Sequence, residues 1–376
     1  MSEITLHPVR AKAHRREFAT FPWKIYREDP LWVPPLIPDR LKVINPNQGV
    51  FFQRGEAEFW TARRGGKPVG TICAAEDPPI NQKRGKRECL FGFLEYIEDY
   101  QVFKTLIERA ISWGQERGLN ALYGPWNLDY EDGYGVLLEG REKPPTLMCG
   151  HSPEYYQNFM ERFGFQPARA ENVALEIDLS PGPKFDRLHR LADQVRAKKD
   201  ILIREADFEH WDDEIDRLHV LLNRALAHLN DHIGWRRDNL QKMLEPFKRI
   251  ADPALILFAD VDGETVGFLP GVPNLNETLI HVNGLRYPWD YLRLPLALRK
   301  HPPKGMTIKS VLVLQEYWNT GVTVLLASEL IKRAVERGYS WTDLSITSAD
   351  NPTSVLTAEK LGARIYKRWQ IYRLDI

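Results

Sequence analysis

The chain has no apolar run of 18 residues, and its opening MSEITLHPVRAKAHRREF lacks the apolar stretch of a secretory signal. Neither a membrane-spanning helix nor export is expected, so the sequence reads as a cytoplasmic protein without a membrane partner. Cysteine is scarce: Cys73, Cys89 and Cys149 stand far apart among 376 residues, which fits reduced buried thiols and excludes both a disulfide framework and a cysteine zinc site. Charge of one sign is also missing. The 51 Lys and Arg balance the 51 Asp and Glu, so no overall positive field argues for nucleic acid. There is no Walker loop, no dinucleotide fingerprint and no Gly-x-Ser-x-Gly elbow, which removes phosphoryl and hydride transfer. His228-Leu-Asn-Asp-His232 puts two histidines on one helical face, but no Glu follows the first and no third ligand is evident; no metal is expected.

What is present lies mostly in residues 308–363. The apolar run Val311 to Leu314 is strand-like, and Gly321 opens a helix whose apolar residues Val324, Leu325, Leu330, Ile331 and Val335 recur near a 3.6 period, closed by Gly338. A strand and a second helix follow. The free N–H groups and positive dipole end of such a helix start suit a pyrophosphate.

In this stretch Trp318-x-x-Gly321-x-Thr323 follows a strand and opens a helix, and Asn351 precedes Lys360-Leu361-Gly362-Ala363. That pattern resembles the GNAT (GCN5-related) N-acyltransferase family, with its Gln/Arg-x-x-Gly-x-Gly/Ala loop and Asn-x-x-Ala…Tyr-Glu-Lys-Leu-Gly-Phe ending. Three positions depart from it: Trp318 replaces Gln or Arg, Thr323 replaces a small residue, and Ala358 stands where a Tyr often acts as acid.

The first half carries the same order of elements. FWTARRGGKPVGTICAA at 59–75 and LILFADVDGETVGFL at 255–269 each read as a hairpin, turning at Gly65-Gly66 and Asp262-Gly263. Val69-Gly70 recurs as Val266-Gly267, Gly164 as Gly362, and the Glu-Arg-Gly ending at Gly118 recurs 220 residues later at Gly338. The spacings balance only if each half carries an insertion of about 22 residues, a length surface loops absorb. The expected fold is therefore α/β (α+β), with two tandem GNAT-like domains, each a mixed, mostly antiparallel sheet flanked by helices. They join at Ser180-Pro181-Gly182-Pro183, giving domains 1–180 and 181–376.

Applying the 220-residue offset puts Glu98, Gln101 and Phe103 where the second half has Trp318, Gly321 and Thr323. Carboxylates at Glu98 and Asp99 would repel a pyrophosphate, so the first domain is read as lacking the cofactor. In the second, Val313 and Leu314 would pair with pantetheine as an added strand, and Trp318, Asn319, Thr320, Gly321, Val322 and Thr323 would surround the phosphates of acetyl-CoA or another acyl-CoA. The resemblance adds Asn351 to this set. Acyl transfer also needs a base and an acid: Glu316 beside the acyl position, His281 after an expected strand Thr278 to Ile280, and Tyr366 on the last strand are the candidates.

Two other stretches bear on the acceptor. FPWKIYREDPLWVPPLIPDR sets Phe21, Trp23, Tyr26 and Trp32 among five prolines and reads as an extended segment covering the core or walling a groove. The insertion GPWNLDYEDGYGVLLEGREKPPTLM, rich in Trp126, Asn127, Asp129, Tyr130, Glu131, Asp132 and Tyr134, suits a ligand-facing loop, and GVPNLNETLIHVNGLRYPWDYLRLPLALRKHPPKG should add a strand and a helix. The reading that results is an acyl-CoA-dependent N-acyltransferase acting on a small-molecule amine. An aminoacyltransferase of the same tandem architecture, or a binding module with decayed cofactor sites, stands beside it. Oligomeric state, acceptor and acyl length are left open.

Overall fold

The computed structural model describes residues 3–128, 134–229, 234–248 and 250–376. In chain order its first half runs β1 (Ile4–Pro8), α1 (Lys12–Thr20), α2 (Pro22–Ile25), α3 (Ile37–Val43), β2 (Glu56–Arg64), β3 (Lys67–Glu76), α4 (Pro78–Arg84), β4 (Glu88–Tyr96), α5 (Tyr100–Glu116), β5 (Ala121–Gly124), β6 (Val136–Glu139), α6 (Tyr155–Phe163), β7 (Gln166–Pro167) and β8 (Asn172–Asp178). The second runs α7 (Pro183–Arg196), β9 (Leu202–Glu205), α8 (Trp211–Ala225), α9 (Arg237–Lys248), β10 (Ile256–Val261), β11 (Glu264–Pro273), α10 (Asn276–Leu279), α11 (Asp290–Lys300), β12 (Gly305–Ile308), β13 (Leu312–Val313), α12 (Val322–Glu336), β14 (Trp341–Ser348), α13 (Pro352–Lys360), β15 (Arg364–Gln370) and β16 (Tyr372–Asp375).

The two expected hairpins form, β2 with β3 and β10 with β11, and both sheets are mixed. The internal repeat is visible in their packing. A Cβ on Gly70 would meet Leu106 and Val102 of α5, and one on Gly267 would meet Val322 and Leu326 of α12 at 2.8 and 3.1 Å. Each glycine thus lets one helix, through residues spaced i and i+4, lie close on its hairpin strand. The contacting pairs are offset by the same 220 residues that relate Gly118 to Gly338.

The sheets exchange strands. The first has the order β1-β2-β3-β4-β5-β16-β7 and the second β6-β15-β8-β14-β12-β11-β10-β9, with β13 also on β11. β8, from the first half, lies between β14 and β15 in the second sheet, while the C-terminal β16 pairs with β5 and β7 in the first. The Ser180-Pro181-Gly182-Pro183 joint therefore follows a strand already committed to the other sheet. Each sheet needs both halves of the chain to complete its hydrogen-bond ladder.

Local chemistry explains where the expected elements differ. Thr278 to Ile280 is not a strand: β11 ends at Pro273, and Leu279 N–H bonds back to the Leu275 carbonyl, so this segment is the helical turn of α10. The insertion after β11 supplies two helices, α10 and α11, and no additional strand among its residues. In the aromatic segment, Pro22 begins the short α2 and Pro38 sits in the first turn of α3, where a missing N–H costs nothing; only the residues between these helices lack regular structure.

Candidate functional site

The N-termini of α5 and α12 occupy equivalent places and differ chemically. At α5 the Asp99 carboxylate accepts from the N–H groups of Gln101 and Val102 and pairs with Arg64 at 2.7 Å. Its carboxyl is held below the usual range, first by the hydrogen bond from Arg64. An anion approaching this helix meets a fixed negative charge in the position it would need. At α12 the N-cap is Gly321, at φ 101°, with no side-chain capping bond. Its first-turn N–H groups are the orphan donors of a helix start. Val195 of α7 fills the space where a Cβ on Gly321 would lie, at 2.7 Å, so glycine is required both by conformation and by packing. The exposed Lys198 and Lys199 follow Val195 at the end of α7.

Beside this helix start, two parallel strands part. β12 and β14 pair from Gly305–Trp341 to Thr307–Asp343. Beyond that, β13 bends to β11 and β14 continues on β8 past Ser345, at φ 58°. The result is a wedge between β13 and β14. Leu314 N–H is spent on the Val266 carbonyl; by strand alternation Val313 turns its backbone groups the other way, into the wedge. The Val313 carbonyl accepts the Trp318 indole N–H at 3.0 Å. Trp318 itself is 50% exposed and its ring lies edge-on to His228, 5.5 Å away.

A buried polar cluster lies where the strands separate. Asp343 is 0% exposed. Its Oδ2 accepts from Thr307 at 2.8 Å and Thr146 at 3.1 Å, and its Oδ1 accepts from the Tyr366 phenol at 2.9 Å. Burial and then the Asp343 charge push the Tyr366 phenol well above its ordinary range, so it is held as a neutral donor. Thr146 also bonds Cys149 Sγ, and Lys309 Nζ reaches Ser345 Oγ at 3.3 Å.

From Cys149 an apolar cavity of about 440 Å³ runs between the halves. Its walls include Tyr26, Trp32 and the proline run Pro34-Pro35 from the aromatic segment, Met148 from the first half's insertion with Cys149 just after it, Met243 and Phe247 of α9, and Leu275 and Leu279 from the second half's insertion. His151 also lines it. Its Nε2 bonds Asp29 Oδ2 at 2.7 Å while its buried Nδ1 has no hydrogen-bond partner among the described residues. The His151 hydrogen bond holds the Asp29 carboxyl below its usual range. In the neutral tautomer whose Nε2–H donates to the carboxylate, Nδ1 is the nitrogen that carries the lone pair. Glu95 accepts from Tyr26 and Tyr156 at the same wall.

The sequence-derived candidates separate accordingly. Val313, Trp318 and the turn Asn319–Thr323 line the wedge and the α12 start; Thr320 Oγ1 caps the Tyr317 carbonyl, and Asn319 and Thr323 are exposed. Leu314 is buried with its N–H used by the sheet. Exposed Asn351 follows β14 and receives the Val355 N–H in the first turn of α13. Of the acid–base candidates only Tyr366 lies in the buried Asp343 cluster. Glu316 stands on the surface paired with Arg224 at 2.7 Å. His281 is exposed after α10 and stacks on His301 at 3.9 Å; burial and the neighbouring His301 lower its pKa. Asp129 to Gly133 and His232 lie outside the described residues. Sequence reasoning missed His151, Asp29, Asp343 and Thr146. Asp343 left one trace, a lone carboxylate inside the strand-like run Trp341-Thr-Asp-Leu-Ser-Ile-Thr; the others meet only through the fold.

The wedge beside an uncapped glycine-led helix, with a carboxylate-capped helix start at the equivalent place in the first half, is the arrangement of a tandem GNAT-like fold. Residues 216–363 match the acetyltransferase (GNAT) family. The whole chain superposes on a tandem GNAT protein from the clavulanic acid biosynthesis pathway with a TM-score of 0.59 at 13% identity, covering 99% of this chain and 98% of that one. It is 26% identical over 381 residues to the bacterial ceramide synthase of Caulobacter vibrioides (strain NA1000 / CB15N), covering 99% of this chain and 97% of that protein. It is also 27% identical over 368 residues to protein YghO of Escherichia coli (strain K12), covering 96% and 93%. No helix of the described residues is long and apolar enough to cross a membrane.

Proposed function

We propose that the protein is an acyl-CoA-dependent N-acyltransferase whose acceptor is a lipid-like amine, with the donor in the wedge of the second half and the acceptor in the apolar cavity. One observation carries this reading: Cys149 in the cavity wall bonds Thr146, which bonds Asp343, whose other oxygen takes the Tyr366 phenol, so side-chain contacts join the cavity wall to the buried cluster on β14 and β15. The cavity volume falls in the usual range for small-molecule sites, and its apolar walls favour an alkyl chain over a hydrophilic amine. The name of the Caulobacter relative points the same way, since a ceramide is the N-acyl amide of a long-chain amino alcohol.

The residues present fit an acyl-CoA. N–H groups at the start of α12 would hold the diphosphate, with Lys198 and Lys199 adding positive charge, and Val313 would pair with pantetheine once Trp318 swings aside. His151, oriented by Asp29, would take the proton of the attacking amine through Nδ1. The amine nitrogen bonds to the thioester carbon, the C–S bond breaks, and Tyr366 is the donor that protonates the departing sulfur. The products are an amide and free coenzyme A thiol.

The test is a mass-spectrometric assay pairing acyl-CoAs of increasing chain length with a long-chain amino alcohol, and with a short soluble amine for comparison. Amide and free thiol should appear in equal amounts and fastest with the long-chain acceptor. No amide from any pair, in a folded sample, would sink the proposal. One observation favours the non-catalytic reading: Trp318 already occupies the Val313 carbonyl. On that reading coenzyme A binds only after Trp318 is removed, and no transfer follows.

A further inference from the structure

We propose that the segment Arg286 to Lys304, centred on α11, docks the protein on an anionic bilayer surface. Its outer face is unusually apolar for a solvent-facing helix: Trp289 is 53% exposed, Leu292 75% and Leu296 68%. These three stand at i, i+3 and i+7, one stripe of a helix. Tyr291 and Leu298 are exposed on the opposite flank of the helix. Aromatic and leucine side chains on one face, with cations around them, are the composition of helices that lie in a membrane interface.

Charge selects the bilayer as occupant. The segment has five basic residues, Arg286, Arg293, Arg299, Lys300 and Lys304, against one acid, Asp290. Asp290 is 0% exposed and turned inward, accepting from Tyr287 N–H at 2.9 Å and lying 3.5 Å from Arg293. The surface is therefore cationic within a chain of zero net charge, the complement of an anionic leaflet.

Position gives the docking a purpose. The segment is fastened to the cavity wall: the Gly284 carbonyl accepts Ile37 N–H at 2.8 Å, Trp23 Nε1 donates to Asn283 at 2.5 Å, and Arg16 bonds the Arg286 carbonyl at 2.7 Å. Leu275 and Leu279, just before it in the chain, line the cavity itself. A bilayer amphiphile at this face would lie on the segment that follows the cavity-lining Leu275 and Leu279 in the chain, which suits delivery to the cavity. That delivery role rests on the lipid-amine reading above; the docking does not.

The experiment is flotation of the full chain with vesicles of phosphatidylglycerol and phosphatidylcholine in equal parts, against pure phosphatidylcholine. The chain should bind the mixed vesicles, bind pure phosphatidylcholine roughly tenfold less, and release at high salt. The double variant Leu292→Glu, Leu296→Glu should lose at least about tenfold of the vesicle binding while keeping its thermal midpoint and its turnover of the short soluble amine. Unchanged binding by that variant, or no binding by the wild type, overturns the proposal. A dimer in sedimentation velocity that the double variant abolishes, without vesicle binding, assigns the face to a second copy instead and also overturns it. Vesicle binding in a protein that transfers no acyl group leaves the docking standing and sinks the catalytic reading alone.

Discussion

Trp318 donates its indole N–H to the Val313 carbonyl at 3.0 Å, on the edge of β13 that faces the wedge. On the proposed reading this is the group a pantetheine amide would use, and the indole would be a displaceable stand-in for the donor. Removing one hydrogen bond of this kind shifts an equilibrium by about 0.5–1.5 kcal/mol. Trp318→Ala should therefore bind acyl-CoA roughly two- to tenfold more tightly by calorimetry, in line with that range. Weaker binding would mean that Trp318 is a wall of the site rather than its gate.

The Tyr366 phenol should matter through its proton. Tyr366→Phe keeps the ring and removes the donor to Asp343. The expected loss is about 10²-fold or more in kcat, the usual contribution of a positioned acid, with KM for acyl-CoA little changed. Glu316→Gln and His281→Ala, both at the surface, should stay within about twofold of wild type on kcat, as surface changes away from a site do.

His151→Asn separates base from scaffold. It retains a polar side chain at the Asp29 wall but cannot take a proton, and kcat should fall by about 10²–10⁴-fold. Asp29→Asn, which removes the carboxylate that orients Nε2, should fall less while altering the pH profile. Equal wild-type activity in both variants would remove the dyad from the mechanism.

Lys367 predicts a pH dependence of stability. It is fully buried, its Nζ donates to the carbonyls of Gly140 and Lys143, and burial lowers its pKa to about 8. An unfolded lysine titrates near 10.4. Between these values the unfolded chain keeps a proton that the folded one has lost, so stability rises with pH from about 8 to about 10.4, by on the order of a few kcal/mol. Urea midpoints measured across that window should show a rise in wild type that Lys367→Met lacks; parallel curves would refute it.

The strand exchange predicts that neither half is autonomous. Residues 181–376 alone would lack β8, and β14 and β15 would lose the strand between them. Such a fragment should show no cooperative thermal transition, whereas both fragments co-expressed should associate. Deleting Tyr372 to Ile376 should destabilise the first sheet, because Tyr372 is buried and β16 bridges β5 and β7. An independently folding second half would contradict this.

The order of elements was legible because it rests on local signals. Asp262-Gly263 and Gly65-Gly66 specify their turns, Gly118, Gly164, Gly338 and Gly362 all end helices at positive φ, and the apolar spacing of Val322 to Glu336 fits one buried face. The 220-residue offset carried further than identity could, pairing Val102 and Leu106 with Val322 and Leu326. The exchange of β8 and β16 left no local trace, since a strand's sequence does not name its neighbour. The same reason hid the site: Asp29 meets His151 across 122 residues, and Thr146 meets Asp343 across 197. The error at Thr278 to Ile280 is of another kind, a short apolar run that periodicity does not resolve between strand and helix.

The central claim, that the second half seats the acyl donor and the first has closed its equivalent, is tested most directly by difference electron density in a crystal of this protein grown with coenzyme A. The account predicts the diphosphate at the start of α12, pantetheine along Val313 with the Trp318 indole displaced, and no such density at Asp99. Diphosphate density at the start of α5, or Trp318 still on Val313 with coenzyme A bound elsewhere, would contradict it.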